Sequence, residues 1–151
     1  MRTSPADTSV LRWLVAAAFV VILNETIMMN AIPRLMVDLD IDETAAQWLS
    51  TAFMLTMAVV IPITGWFLTR VTTRQAFLLA MVTFCVGTLL AAVSWNFPVL
   101  VTARVVQASA TAVMMPLLMT TLMRVVSPDD RGRVMGTVSL AMSVAPALGP
   151  A

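Results

Sequence analysis

Apolar residues run along this chain in long unbroken blocks, with neither the strict alternation of a half-buried strand nor the narrow stripe of a surface helix. The blocks cover about residues 11–33, 48–68, 76–93 and 98–123, and a fifth begins near 134 and is cut short at 151. Each complete block has the length that a helix needs to cross a bilayer, about 20 mostly apolar residues. Lipid offers no partner for backbone N–H and C=O groups, so such blocks are helices. The pattern predicts an all-α polytopic membrane protein with residues 1–10 as a cytoplasmic N-terminal tail and residues 11–151 as a transmembrane bundle. Residues 1–9 are polar and are expected to be disordered.

Two charges break the pattern. Arg104 lies inside the fourth block, six residues after Pro98, and Glu25 inside the first, eight residues before Pro33. A charge at such depth costs several kcal/mol unless it faces protein or water, so each marks a functional site by default. Because the two blocks run in opposite directions, both charges fall roughly 9–12 Å below the same surface at about 1.5 Å rise per residue. That permits an ion pair or a shared aqueous pocket. The plainer alternative is that each is satisfied locally; an arginine can snorkel outward, but a glutamate is too short.

Composition narrows the class. The chain is 60% hydrophobic with a mean hydropathy of +0.92. All nine cations are arginines, and they sit almost entirely in the short loops, so the net charge of +1 implies no nucleic-acid partner. The chain has no histidine or tyrosine and one cysteine, Cys85, in mid-span. With the commonest metal ligand and general base missing, no metal or organic cofactor and no enzymatic activity are expected. The first block, long and interrupted by Asn24 and Glu25, reads as a retained anchor rather than a cleaved leader.

Arginine bias sets the orientation. Arg2, Arg12, Arg70, Arg74, Arg124, Arg131 and Arg133 flank one side, and the other has Arg34 with a crowd of acids, Asp38, Asp40, Asp42 and Glu43. The N-terminus is therefore expected in the cytoplasm of a multi-pass inner or plasma membrane protein. Trp13, Trp48, Trp66 and Trp95 all fall at block ends, the usual aromatic-belt position.

Gln107, Ala108 and Thr111 share a helical face with Arg104. They form either a polar strip along a translocation path or a small-residue packing surface. Asn24 and Thr26 could hydrogen-bond Glu25. A buried acid can take a proton from one side and release it to the other when access alternates. Pro62, Pro116, Pro146 and Pro150 interrupt spans and can bend them. The thirteen methionines, Met28 among them, suit a surface that adapts to varied apolar ligands, although packing is the expected role of most of them.

These residues carry a resemblance. LNETIMMNAIP (residues 23–33) resembles the first-span motif LDxTxVNVALP of the drug:proton antiporters of the major facilitator superfamily, 14-helix type, with Asn24 at the aspartate and Met29 at the asparagine. RVVQASATA (104–112) is similar to the fourth-span motif RxxQGxGAA, with Ala108 and Ala110 for glycines. APALGPA (145–151) resembles the start of the fifth-span motif GxxxGPxxGG. GWFLTRVTTR (65–74) departs from the loop motif GxLaDRxGRR: it keeps Gly65, Arg70 and Arg74 but has Thr69 for the aspartate and Thr72 for the glycine. The aspartate's helix-locking role is therefore not implied here. LNET with WLSTAFMLTMAVVIP resembles the multidrug and lincosamide-efflux branch.

The resemblance implies an N-terminal portion of a helical bundle whose two halves enclose a central site. The implied function is export of lipophilic drugs coupled to proton influx, with protons, the bilayer and the remaining C-terminal helices as partners. Glu25 and Arg104 would couple protons; Asn24, Met28, Gln107 and Thr111 would line the path; Gly65, Arg70, Arg74, Pro146, Gly149 and Pro150 would serve gating. Three other readings stay open: a metabolite carrier of the same superfamily, a small four-helix exporter working as a dimer, and a non-transporting membrane scaffold.

Overall fold

The computed structural model describes the backbone of residues 5–148 and the side chains of residues 9–140 and 142–144. Five helices follow in order: α1 (Pro5–Asp38), α2 (Glu43–Leu68), α3 (Thr73–Ala92), α4 (Phe97–Val125) and α5 (Arg131–Leu148). The first four are long and apolar enough to cross a membrane, and no strand occurs among the described residues. Hydroxyls inside the spans bond back to their own helix, as where Thr26 donates to the Ile22 carbonyl (3.0 Å) and Thr56 to that of Ala52 (2.7 Å). In lipid this satisfies a group that would otherwise have no partner.

The helix ends show what the loops contribute. Asp42 caps α2 by accepting from the Ala45 amide at 2.7 Å. Thr72 and Gln75 form a capping box on α3, and Asn96 accepts from the Val99 amide at 3.0 Å ahead of α4. Each satisfies an amide that the first turn leaves free. The acidic connection between the first two spans is shorter than its polarity suggests. Helix α1 continues through Pro33 to Asp38, where Arg34 and Asp38 pair at 3.2 Å. Asp40 turns the chain at φ 50°, a left-handed conformation that aspartate tolerates.

Residues 5–9 are helical rather than disordered.

Helix α4 is the core. Buried positions make up 56% of its most apolar stretch, against 17–22% in the other three spanning helices. It packs against α3, α2 and α1, and α1 packs in addition against α5. Small residues make the close approaches: Ala103, Ala108, Ala110 and Ala112 on α4, Ala76 and Ala80 on α3. Gly87 of α3 is the tightest point. A Cβ there would lie 2.8 Å from Gln107 Cγ and 2.9 Å from the Gln107 backbone nitrogen. Gly87→Val should therefore push α3 off α4 at a cost of about 1–3 kcal/mol, read as a lower unfolding temperature in detergent; an unchanged temperature would contradict this packing.

Large apolar side chains, among them Met54, Leu55 and Val59 on α2 and Leu79, Val82 and Leu89 on α3, point outward. In water they would be a liability; in a bilayer they meet their solvent.

One end of the bundle collects the arginines. A small cavity joins Gly65 and Thr69 at the end of α2, Thr73 at the start of α3, and Thr120 and Arg124 at the end of α4. A second, of about 440 Å³, joins Trp13 and Leu14 of α1 to Thr73, Arg74 and Phe77 of α3. A third joins Leu11 and Val15 of α1 to Val134 and Val138 of α5. Arg12, Arg70, Arg74, Arg124, Arg131 and Arg133 are therefore at one end, and Arg34 is at the other. Arg131 closes the α4 terminus by donating to the Met123 (2.8 Å) and Val126 (3.2 Å) carbonyls, a favourable place for a cation.

Candidate functional site

The two intramembrane charges meet. Arg104 Nη2 lies 2.7 Å from Glu25 Oε1. The Arg104 side chain is 1% exposed, and Glu25 retains 23%. Arg104 is the only buried charge among the described residues. A guanidinium so enclosed is tolerable only if its positive charge is compensated and its donors are used.

Three further groups surround the cation. Arg104 Nη1 donates to Gln107 Oε1 at 3.1 Å, one helical turn along α4. The guanidinium carbon stands 4.2 Å above the centre of the Phe53 ring on α2, a cation–π distance. Nε has no acceptor. The Gln107 amide nitrogen donates onward to Thr88 Oγ1 of α3 (3.1 Å) and, more weakly, to Asn24 Oδ1 of α1 (3.4 Å). Thr88 gives its own proton to the Phe84 carbonyl at 2.9 Å. Four helices thus converge on one arginine, with α1 supplying the anion.

The expected site residues separate into those that take part and those that do not. Glu25, Arg104, Gln107 and Asn24 form one network. Asn24 bonds Gln107 rather than Glu25, and Thr26 is taken up by its own helix. Thr111 is 7% exposed and donates to the Gln107 backbone carbonyl at 2.9 Å, so its hydroxyl is committed within α4. Ala108 is fully buried. The face that carries them therefore packs against helices rather than lining open space. Met28 is half-buried one turn beyond Asn24.

The residues assigned to gating lie elsewhere. Arg70 is exposed and stacks over Trp66 at 4.8 Å. Gly65 has open space where a Cβ would go and borders the small cavity beside Pro116. Arg74 borders the cavity against Trp13. Pro146 lies within α5, and Gly149 and Pro150 fall outside the described residues. No group of three or more histidine, cysteine or carboxylate side chains gathers as a metal site among the described residues.

Phe53, Thr88 and Gly87 were not legible as site residues. Phe53 and Thr88 look like ordinary span residues, and the signal that could have found Gly87 is a glycine in the middle of an otherwise uninterrupted apolar helix.

The chain is similar over most of its length to known transporters. It is 45% identical over 137 residues to the uncharacterized MFS-type transporter YcnB of Bacillus subtilis, covering 91% of this chain and 29% of that protein. It is 40% identical over 142 residues to YhcA of the same organism, another uncharacterized MFS-type transporter, covering 94% of this chain and 27% of the relative. It is 36% identical over 137 residues to the lincomycin resistance protein LmrB of Bacillus subtilis, covering 91% and 29%. The chain therefore spans less than a third of the length of these relatives. The sequence model of the Major Facilitator Superfamily matches residues 14–151. A match of that extent, on a bundle of membrane-spanning helices, places the chain in a family of multi-pass membrane carriers: it belongs to the Major Facilitator Superfamily.

Proposed function

We propose that the chain forms the proton-coupling part of a secondary exporter that moves lipophilic drugs outward in exchange for protons entering the cell. One observation carries this reading: a buried arginine and a partly accessible glutamate paired at 2.7 Å inside helices that cross lipid. A structural role alone would be met more cheaply by apolar residues of similar volume. A carboxylate that can accept and release a proton gives the pair a second state.

In that cycle the Glu25 carboxylate accepts a proton from the outer aqueous phase, which neutralises it and ends its attraction for Arg104. When access switches, the proton leaves Glu25 to the cytoplasmic side and the ion pair re-forms. The substrate moves in the opposite direction between the same two states, so one gradient drives the other. The 23% exposure of Glu25 gives the acid a route to water while Arg104 stays enclosed. The concentration of arginines at one end of the bundle supports a cytoplasmic N-terminus. The facing half of the substrate cavity would come from helices of the kind that make up the remaining length of the relatives.

Two substrates are worth testing: lincomycin, because LmrB is named for resistance to it, and ethidium as a generic lipophilic cation. In everted vesicles carrying the protein at the full length of its relatives, adding either drug to an established pH gradient should partly collapse the gradient, measured by acridine-orange fluorescence. Drug accumulation that persists after a protonophore has abolished the gradient would contradict the coupling.

A further inference from the structure

The network around Arg104 is directional. Thr88 has a single hydroxyl proton and gives it to the Phe84 carbonyl, so it can only accept from Gln107. This turns the Gln107 amide nitrogen toward α3 and its oxygen toward Arg104 Nη1. Gly87, beside Thr88, leaves the room in which the Gln107 stem sits. From the other side, the Phe53 ring covers a face of the guanidinium. None of these contacts uses Glu25.

The helices divide in the same way. Helices α2 and α3 each pack extensively on α4, whereas α1 packs less closely on α4 and has little contact with α2. At the depth of the pair, the polar ties from α1 to this unit are the Glu25–Arg104 contact and the 3.4 Å bond to Asn24.

We infer that Thr88 and Phe53 are positioning residues that hold Arg104 in place without Glu25, so that a proton on Glu25 frees α1 while the guanidinium stays fixed to α2, α3 and α4. This rests on Glu25 being the proton acceptor. Arg104 is the only charged side chain that α2, α3, α4 or α5 brings against Glu25 among the described residues; the remaining charges lie near the helix ends or in the loops. When Glu25 is neutral it offers Arg104 at most a neutral acceptor and no counter-charge, so Gln107 and Phe53 carry more of the burden of stabilising the buried cation. Weakening either should make the neutral state of Glu25 harder to reach.

The test uses the full-length transporter. Thr88→Val keeps the shape but removes the acceptor, and Phe53→Leu removes the aromatic face. Each should move the pH midpoint of drug–proton exchange to lower pH by about one unit, a tenfold change in proton affinity, and Thr88→Ser should restore it. A packing role alone would lower the amount of folded protein and leave the midpoint unmoved. An unchanged or higher midpoint, or failure of serine to rescue, overturns the inference; it leaves the coupling reading standing if Glu25→Gln still removes the pH dependence. Spin labels in a Cys85→Ala background give a second readout. With Glu25→Gln, the distance between positions 37 and 93 (α1 to the end of α3) should change, and that between positions 48 and 93 (α2 to the end of α3) should not. Movement of the second pair alone would overturn the inference.

Discussion

Arg104→Leu is expected to abolish coupled transport and to destabilise the bundle by about 3–5 kcal/mol, the usual result of removing one partner from a buried pair. Arg104 is 1% exposed and joins Glu25, Gln107 and Phe53 in one place. Without it, the partly enclosed Glu25 carboxylate has no compensating charge. Arg104→Lys should not rescue function, although it preserves the charge. A compact ammonium cannot offer two separate donors to Gln107 and Glu25 and also lay a flat face on the Phe53 ring. Losing one charged hydrogen bond of about 1.5–3 kcal/mol corresponds to about a ten- to hundredfold slower exchange. Initial rates of drug-driven proton movement, normalised to protein in the membrane, measure this. A lysine variant with the parent rate would mean that charge alone matters and that the geometry around the guanidinium does not.

Glu25→Gln should separate binding from coupling. Glutamine has nearly the same shape, and its amide oxygen can still accept from Arg104 Nη2, but it takes up no proton in the working range. Uphill drug accumulation should fall to the level of vesicles lacking the protein. Equilibrium drug binding should persist within a few-fold and become insensitive to pH between about 5 and 8. Glu25→Asp keeps the acid but withdraws it by one methylene from the 2.7 Å contact, so it should retain pH dependence with a reduced rate. The two variants together distinguish a lost proton site from a disturbed cavity.

The spans were legible because lipid constrains sequence strongly: a backbone without water must be helical, and its side chains must be apolar for about 20 residues. Glu25 and Arg104 were legible for the same reason, since each interrupts a block where a charge is costly. Their shared depth followed from helix rise and direction. How the helices are turned toward one another did not, because the polar strip on the fourth block marks one face of that helix alone and says nothing of which neighbours meet it.

That missing angle accounts for Thr88, Phe53 and Gly87, which the bundle turns toward Arg104 and which are otherwise ordinary span residues. It also accounts for Thr111, whose spacing from Arg104 suggested a path-lining role but whose hydroxyl is bonded to the Gln107 carbonyl. The extent of the loop between α1 and α2 was not legible for another reason. Acids at 38–43 look like a solvated connector, yet Asp38 pairs along the helix and Asp42 caps the next one, leaving three residues between them to make the turn.

The central claim is that the acid opposite Arg104 exchanges a proton as substrate binds. The most direct measurement is proton release from the purified full-length transporter in weakly buffered detergent solution on adding a saturating drug. The account predicts release in the parent protein and none in Glu25→Gln at equal drug occupancy. Release of the same size from the glutamine variant would contradict it.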